Sequence, residues 1–205
     1  TADILPFGVV NYSSLGGINS QIDQIRKFIE LPLLQSRFFA AFGSKPSSGL
    51  LITGESGSGK SYIAEAIRNE TPAHFEFIKS IDLLTKSPGD ACFVLRKLCD
   101  RAIEKAPCIM FIDDLDLIAE EMFITDDKKD SRISNALIST IDRCISSPNV
   151  VFIGTAKSKS SIPAHILRSR RLDTVIELNK ILSMDERIDV LKKVLESTLI
   201  SSATS

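Results

Sequence analysis

Gly54-Glu55-Ser56-Gly57-Ser58-Gly59-Lys60-Ser61 decides how this 205-residue chain is read. The stretch fits the phosphate-loop pattern G-x-x-x-x-G-K-[ST] at every fixed position. Gly49-Leu50-Leu51-Ile52-Thr53, just before it, is a short apolar run of the kind that forms a buried strand. Ser61 to Arg68, just after it, carries apolar residues at helical spacing. Strand, glycine loop and helix is the order this chemistry needs. Glycines let backbone N–H groups close around a phosphate, and the start of the helix adds a favourable field. The pattern assigns the loop residues Gly54, Glu55, Ser56, Gly57, Ser58 and Gly59, with Tyr62 beyond them, to a nucleotide. Lys60 would reach its β- and γ-phosphates, and the Ser61 hydroxyl would bind Mg²⁺.

Working outward, strands are expected at 49–53, 75–79, 108–113, 149–155 and 174–178. Helices are expected at 60–70, 90–105 and 131–146. Such alternation argues for a parallel sheet covered by helices on both faces, with the ligand at the carboxyl ends of the strands. Asn19 or Ser20 can cap an earlier helix whose inner face is Ile22, Ile25 and Ile29. Pro32 is expected to interrupt it, and a second helix from Leu33 to Phe42 is closed by Gly43. Residues 1–14 read as a lead-in. Asp126-Asp127-Lys128-Lys129-Asp130 reads as a solvated loop. Ser183-Met184-Asp185-Glu186 is a capping box opening a helix with Ile188, Leu191, Val194 and Leu195 on one side.

Composition narrows the classes. Hydrophobic residues at 43% and charged residues at 25% suit a globular domain, and the formal net charge of −1 gives no general attraction to nucleic acid. No apolar run approaches membrane-spanning length, so direct insertion into a membrane is not expected. Cys92, Cys99, Cys108 and Cys144 form no C-x-x-C pair and read as free thiols in a reducing compartment. The cytoplasm is the first expectation for location. The periphery of an organelle membrane and the nucleus are the alternatives.

Cys108-Ile109-Met110-Phe111-Ile112-Asp113-Asp114 is an apolar strand that ends in two carboxylates. A phosphate-loop site needs an acid here to hold Mg²⁺, the role given to Asp113, while Asp114 stands where the water-activating base belongs. A guanine-reading N-K-x-D is missing, since Asn179-Lys180-Ile181-Leu182 has no Asp, and no L-S-G-G-Q stretch occurs. A small-molecule phosphotransferase stays compatible with the loop taken alone.

Further motifs make the chain resemble the large subdomain of an AAA-family ATPase over about residues 12–197. Leu15-Gly16-Gly17-Ile18 resembles the element that lies against adenine. Glu30-Leu31-Pro32-Leu33 resembles the E-L-P-L of the valosin-containing-protein group. Leu167-Arg168-Ser169-Arg170-Arg171-Leu172-Asp173 resembles the L-R-x-x-R-x-D segment. The resemblance implies an α/β three-layer sandwich with a five-stranded parallel sheet in the order 5-1-4-3-2. It also implies a lead-in (1–14), a large ATPase subdomain (15–182) and the start of a helical lid (183–205), truncated at the end of the chain. Gly16, Gly17 and Ile18 would contact adenine, and Arg168 and Arg171 would be arginine fingers reaching a neighbouring subunit's ATP. Self-association into a ring, usually a hexamer, acting on protein substrates through adaptors, is implied too.

Three departures from the family pattern stand out. Asp114 replaces the usual Glu and is one methylene shorter. Lys157, at the end of strand 149–155, replaces the usual Asn and offers donors only. Lys86-Ser87-Pro88-Gly89 lacks the aromatic residue that grips substrate in a pore. The first two departures bear on water activation, which predicts tight ATP binding and slow hydrolysis. The alternative is a non-hydrolysing, nucleotide-regulated assembly module of a tandem protein. The degenerate modules of a peroxisome-biogenesis AAA subunit and of the vesicle-fusion ATPase are similar in this respect.

Overall fold

The structure is a computed structural model, and it describes residues 10–34, 48–124, 130–178 and 183–203. The expected helix and stop at 33–43 fall mostly outside these residues, as do the mixed charges at 126–129.

Five strands form one wholly parallel sheet: β1 (Gly49–Thr53), β2 (His74–Lys79), β3 (Cys108–Asp113), β4 (Val150–Ala156) and β5 (Thr174–Glu177). Their order is β2-β3-β4-β1-β5, which is the expected 5-1-4-3-2. The three inner strands, β1, β3 and β4, are buried along their whole length, and the two edge strands only in part. That is why the inner three read as unbroken apolar runs.

The described helices are α1 (Asn19–Leu34), α2 (Lys60–Glu70), α3 (Ser80–Leu84), α4 (Pro88–Glu104), α5 (Leu115–Ile124), α6 (Asp130–Ser146) and α7 (Met184–Ala203). The side-chain alternation of the strands divides the core into two layers. Leu50, Ile52, Ile109, Phe111, Val151 and Ile153 meet Ile22, Ile25 and Ile29 of α1 and Ile63 and Ile67 of α2. Leu51, Met110, Ile112 and Phe152 face the opposite way and meet Leu95 and Leu98 of α4, Ile118 of α5 and Leu137 and Ile141 of α6. Cys99, Cys108 and Cys144 are buried in this second layer as free thiols, with Cys99 Sγ 3.3 Å from Cys144 Sγ.

Element boundaries follow local chemistry. Ser87 caps α4, its hydroxyl accepting the Asp90 N–H at 3.2 Å with Pro88 in the first turn, so the helix starts two residues earlier than expected. Asn149 has φ +59° and belongs to the turn, so β4 starts one residue later. The capping box forms as read: Glu186 accepts the Ser183 N–H at 2.7 Å, and Ser183 accepts the Glu186 N–H at 3.3 Å.

Pro32 corrects one expectation, because α1 continues through it to Leu34. The ring falls in the final turn of the described helix, so it removes the N–H owed to Phe28 without having to bend a long segment. Two short stretches also hold more structure than the sequence suggested. In the supposed lead-in, Val10 and Tyr12 are buried, and the Tyr12 N–H donates to Glu70 at 2.9 Å. The helices α3 and α5 were not foreseen.

Candidate functional site

The phosphate loop links β1 to α2 at the carboxyl end of the sheet. The Gly54 N–H donates to the Ala156 carbonyl at 3.1 Å, which ties the start of the loop to the end of β4. Gly57 and Gly59 have φ of +82° and +92°, and a Cβ at either would meet nothing within 4 Å. The glycines thus serve the left-handed backbone and keep the concave side of the loop open. No side chain caps α2. Its first turn therefore holds amide donors that lack partners inside the helix, the property that makes a helix start an anion site. Glu55, Ser56, Gly57, Ser61 and Tyr62 are exposed, with Ser58 and Gly59 half-buried.

Lys60 is 8% exposed, and its Nζ donates to the Gly54 carbonyl at 2.6 Å and the Glu55 carbonyl at 2.9 Å. The lysine is thus folded onto the carbonyls of its own loop. Ser61 Oγ donates to Asp113 Oδ2 at 3.3 Å. This brings together the two residues expected to hold Mg²⁺. Among the described residues no cluster of three or more His, Cys, Asp or Glu side chains could hold a metal ion by itself. A hydroxyl and one carboxylate, both hard oxygen donors, fit Mg²⁺ bound together with nucleotide phosphates and water.

Thr155 is the residue whose importance the sequence understated. It is fully buried, its hydroxyl donates to Asp113 Oδ1 at 2.5 Å and accepts the Asp114 N–H at 2.9 Å. One side chain of β4 thus fixes both carboxylates at the end of β3. Asp114 has φ +54° and is half-buried. Burial, followed by the charges of Asp113 and Asp116, holds its carboxyl above the usual range, against the pull of Lys60 and Lys157. Asp116 is fully buried and accepts the Lys157 N–H at 3.1 Å, while the Lys157 side chain is exposed.

Gly16 and Gly17 lie against α7, and Ile18 is buried in the core layer that holds α1. The Gly17 N–H donates to Asp189 Oδ2 at 2.9 Å, and a Cβ on Gly16 would come within 2.7 Å of the Val190 Cα. Absence of a side chain at Gly16 lets the two backbones touch.

The two arginines singled out from the sequence are placed differently. Arg168 is exposed. Arg171 Nε and Nη2 donate to the two carboxylate oxygens of Asp142 at 2.7 and 2.8 Å, and Nη1 donates to the His165 carbonyl at 2.7 Å. Arg171 is therefore engaged within its own chain. The pairing spans 29 residues, and neither the spacing nor the residue types announced it.

Residues 50–180 match the family described as "ATPase family associated with various cellular activities (AAA)". The chain belongs to the AAA family of ATPases. With the parallel sheet and phosphate loop in place, this makes it a nucleotide-binding AAA module. It is also 34% identical over 169 residues to a Plasmodium falciparum (isolate 3D7) protein named "Putative cell division cycle ATPase". The match covers 82% of this chain and 14% of that relative, so the chain spans a small part of the relative's length. Among the described residues no helix of this AAA module is long and apolar enough to cross a membrane.

Proposed function

We propose that this AAA module binds Mg-ATP, forms part of a ring that remodels proteins, and hydrolyses ATP slowly. One observation carries the reading. The groups suited to phosphate and Mg²⁺ are assembled around Ser61 and Asp113, while the water-activating positions hold Asp114 and Lys157. In this reading Lys60 leaves the Gly54 and Glu55 carbonyls for the phosphates, and Ser61 and Asp113 hold Mg²⁺. Held by Ser61 and Asp113, Mg²⁺ would neutralise charge developing on the phosphate oxygens. Asp114 takes the proton of the attacking water. A base must come within about 2.6–3.2 Å of that proton or act through one water, and the shorter arm works against this. Lys157 has donors but no acceptor for the water. The raised pKa of Asp114 suits a proton acceptor, so the defect we assign is one of reach.

Residues 15–182 serve as the large subdomain and 183–205 as the beginning of a lid. Residues 16–18 receive adenine, and cations of the L-R-x-x-R-x-D segment complete a neighbour's site, most simply in a hexamer. Protein substrates and adaptors are its partners, and the cytoplasm, an organelle surface or the nucleus its setting.

Titration with Mg-ATP and steady-state turnover test the reading together. Wild type binds tightly and turns over slowly. Lys60→Ala abolishes binding, and Asp114→Glu raises turnover about tenfold or more, toward the ~10²–10⁴ that a positioned base supplies. Undiminished binding by Lys60→Ala removes the loop assignment, and rapid wild-type turnover that falls in Asp114→Glu removes the impaired base. Asp114 and Lys157 at the water-activating positions also fit a second reading, a nucleotide-regulated module that assembles on ATP without turnover. It predicts no gain from Asp114→Glu.

A further inference from the structure

We propose that the outer groove between α4 and α6 docks an acidic, extended polypeptide segment, held by Arg96, Arg132 and Arg143 with the exposed ring of Phe93 at its rim. The inference goes beyond the nucleotide reading and does not rest on it.

Three contacts show that α4 and α6 run parallel, side by side. The Cys92 thiol donates to the Arg132 carbonyl at 3.5 Å, the Cys99 thiol to the Thr140 carbonyl at 4.0 Å, and Arg143 Nη2 to Asp100 Oδ1 at 2.8 Å. Along their outer seam lies a cavity of about 540 Å³, within the size range of ligand sites. It stays open because small residues meet there, Gly89 and Cys92 from α4 with Ala136 and Ser139 from α6. Its charged residues are all cations. Arg96 stands on one side and Arg132 and Arg143 on the other, and among the described residues that line it there is no Asp or Glu. Arg96 and Arg132 are exposed, and among the described residues neither guanidinium has a hydrogen-bonding or ionic partner. Arg143 is paired with Asp100, but both side chains are about half exposed. Such a pair is worth little, so Arg143 can turn to a new carboxylate at small cost. The chain as a whole carries a formal net charge of −1, so this positive row is a local feature.

The spacing of the cations selects the ligand. Arg132 and Arg143 stand on one helix about 16 Å apart at the helical rise. Cys92 is level with Arg132, so Arg96 lies about 6 Å along the same line. A single small anion cannot span the row. An extended chain of about six residues can, with carboxylates at its first, third and sixth positions, at about 3.3 Å per residue. Each carboxylate could take a guanidinium in the two-bonded geometry that arginine offers. Phe93 lies one helical turn before Arg96 and is 64% exposed, the most exposed aromatic ring among the described residues. An uncovered aromatic beside arginines is the composition of a binding hot spot, and it suits an apolar side chain between the acids. Nucleic acid would draw on a longer field of cations, which a chain of this net charge does not supply.

The test is fluorescence anisotropy with the labelled peptide Glu-Leu-Glu-Leu-Ala-Glu and its counterpart Gln-Leu-Gln-Leu-Ala-Gln. The protein is expected to bind the acidic peptide at least about tenfold tighter than the amide one. Arg96→Glu and Arg132→Glu should each lose at least about tenfold in affinity, and Phe93→Ala about fivefold. Lys97→Glu makes the same charge change on α4 outside the groove and should stay within about twofold of wild type. All four positions are exposed, so melting temperature and ATP affinity are expected to match wild type. Arg96→Gln removes the charge without reversing it and should fall between wild type and Arg96→Glu, which keeps the test open if the reversal lowers the melting temperature. Equal binding of the two peptides overturns the proposal. So does a loss in Lys97→Glu as large as that in Arg96→Glu, which would reduce the effect to general attraction. A single-stranded oligonucleotide of about six nucleotides that binds more tightly than the acidic peptide, and is lost in Arg96→Glu, gives the groove to nucleic acid instead. Self-association in sedimentation that Arg96→Glu abolishes, with no peptide bound, gives it to a second copy of the chain. Either result overturns the polypeptide assignment and leaves the Mg-ATP reading untouched.

Discussion

Replacing Thr155 by valine tests the idea that one side chain of β4 fixes both acids at the end of β3. Valine has nearly the shape of threonine and lacks its hydroxyl. The hydroxyl donates to Asp113 Oδ1 at 2.5 Å and accepts the Asp114 N–H at 2.9 Å. A hydrogen bond to a charged group contributes about 1.5–3 kcal/mol, and a buried N–H left unpaired costs about 1–3 kcal/mol. The added methyl and relaxation of the turn at Asp114 offset part of this, leaving a loss of about 3 kcal/mol. For a chain of this size each kcal/mol moves the melting temperature by about 2–4 °C, so Thr155→Val should melt about 6–12 °C lower. Thr155→Ser keeps the hydroxyl and gives up one buried methyl, costing about 1 kcal/mol. Calorimetry of the three proteins at neutral pH, without nucleotide, measures this. Mg²⁺-dependent ATP affinity should fall in the valine variant and hold in the serine one. If Thr155→Val melts with wild type while Thr155→Ser is the less stable, packing governs the site and the hydroxyl clamp does not.

Asp114 links the site to pH. Its folded pKa is raised, so between the ordinary Asp value near ~3.9 and that raised value the folded state holds more protons than the unfolded one. Its contribution to stability therefore falls as pH rises through this window. Asp114→Asn should melt above wild type at pH 7, and the gap should close below about pH 4; a constant gap across a pH series of melts would contradict this. Gly16→Ala would set a Cβ within 2.7 Å of the Val190 Cα, a backbone atom that cannot yield cheaply. Destabilisation of about 1–3 kcal/mol and faster hydrogen exchange at the start of α7 are expected, and unchanged exchange there would refute the contact. Burial pushes the Cys108 thiol up to about 11. Alkylation followed by mass spectrometry at pH 8 should label half-buried Cys92 first and leave Cys108 intact until the chain unfolds, and early labelling of Cys108 would contradict its burial.

The sheet was legible because its inner strands are apolar on both faces. The run 108–113 is matched to the residue, and Gly59 followed by helix-spaced apolar residues marks the start of α2. Elements that lacked such a period were not. The five-residue α3 is shorter than two turns, and the Leu115–Ile124 sequence of α5 is apolar nearly all round, so no stripe identifies it. Val10 and Tyr12 are core residues in a segment too short to show a pattern. At the site, the motif residues declared themselves because their spacing is local. The partners that orient them did not. Asp142 lies 29 residues from Arg171, Thr155 lies 42 from Asp113, and Asp189 lies 172 from Gly17. Such pairs are made by the topology, and nothing in their own neighbourhoods signals them.

The central place of β4 has a mechanical consequence. The glycine loop hangs from the Ala156 carbonyl, both carboxylates hang from the Thr155 hydroxyl, and the next amide, at Lys157, holds Asp116. The last two residues of one wholly enclosed strand, with the residue just after it, act as a common datum for everything that would touch the triphosphate. The two halves of the pocket cannot drift apart without tearing that strand end. Compliance must then lie further out, for instance where the Gly17 N–H meets the Asp189 carboxylate of α7, and relative motion of those two segments would be taken up at that joint.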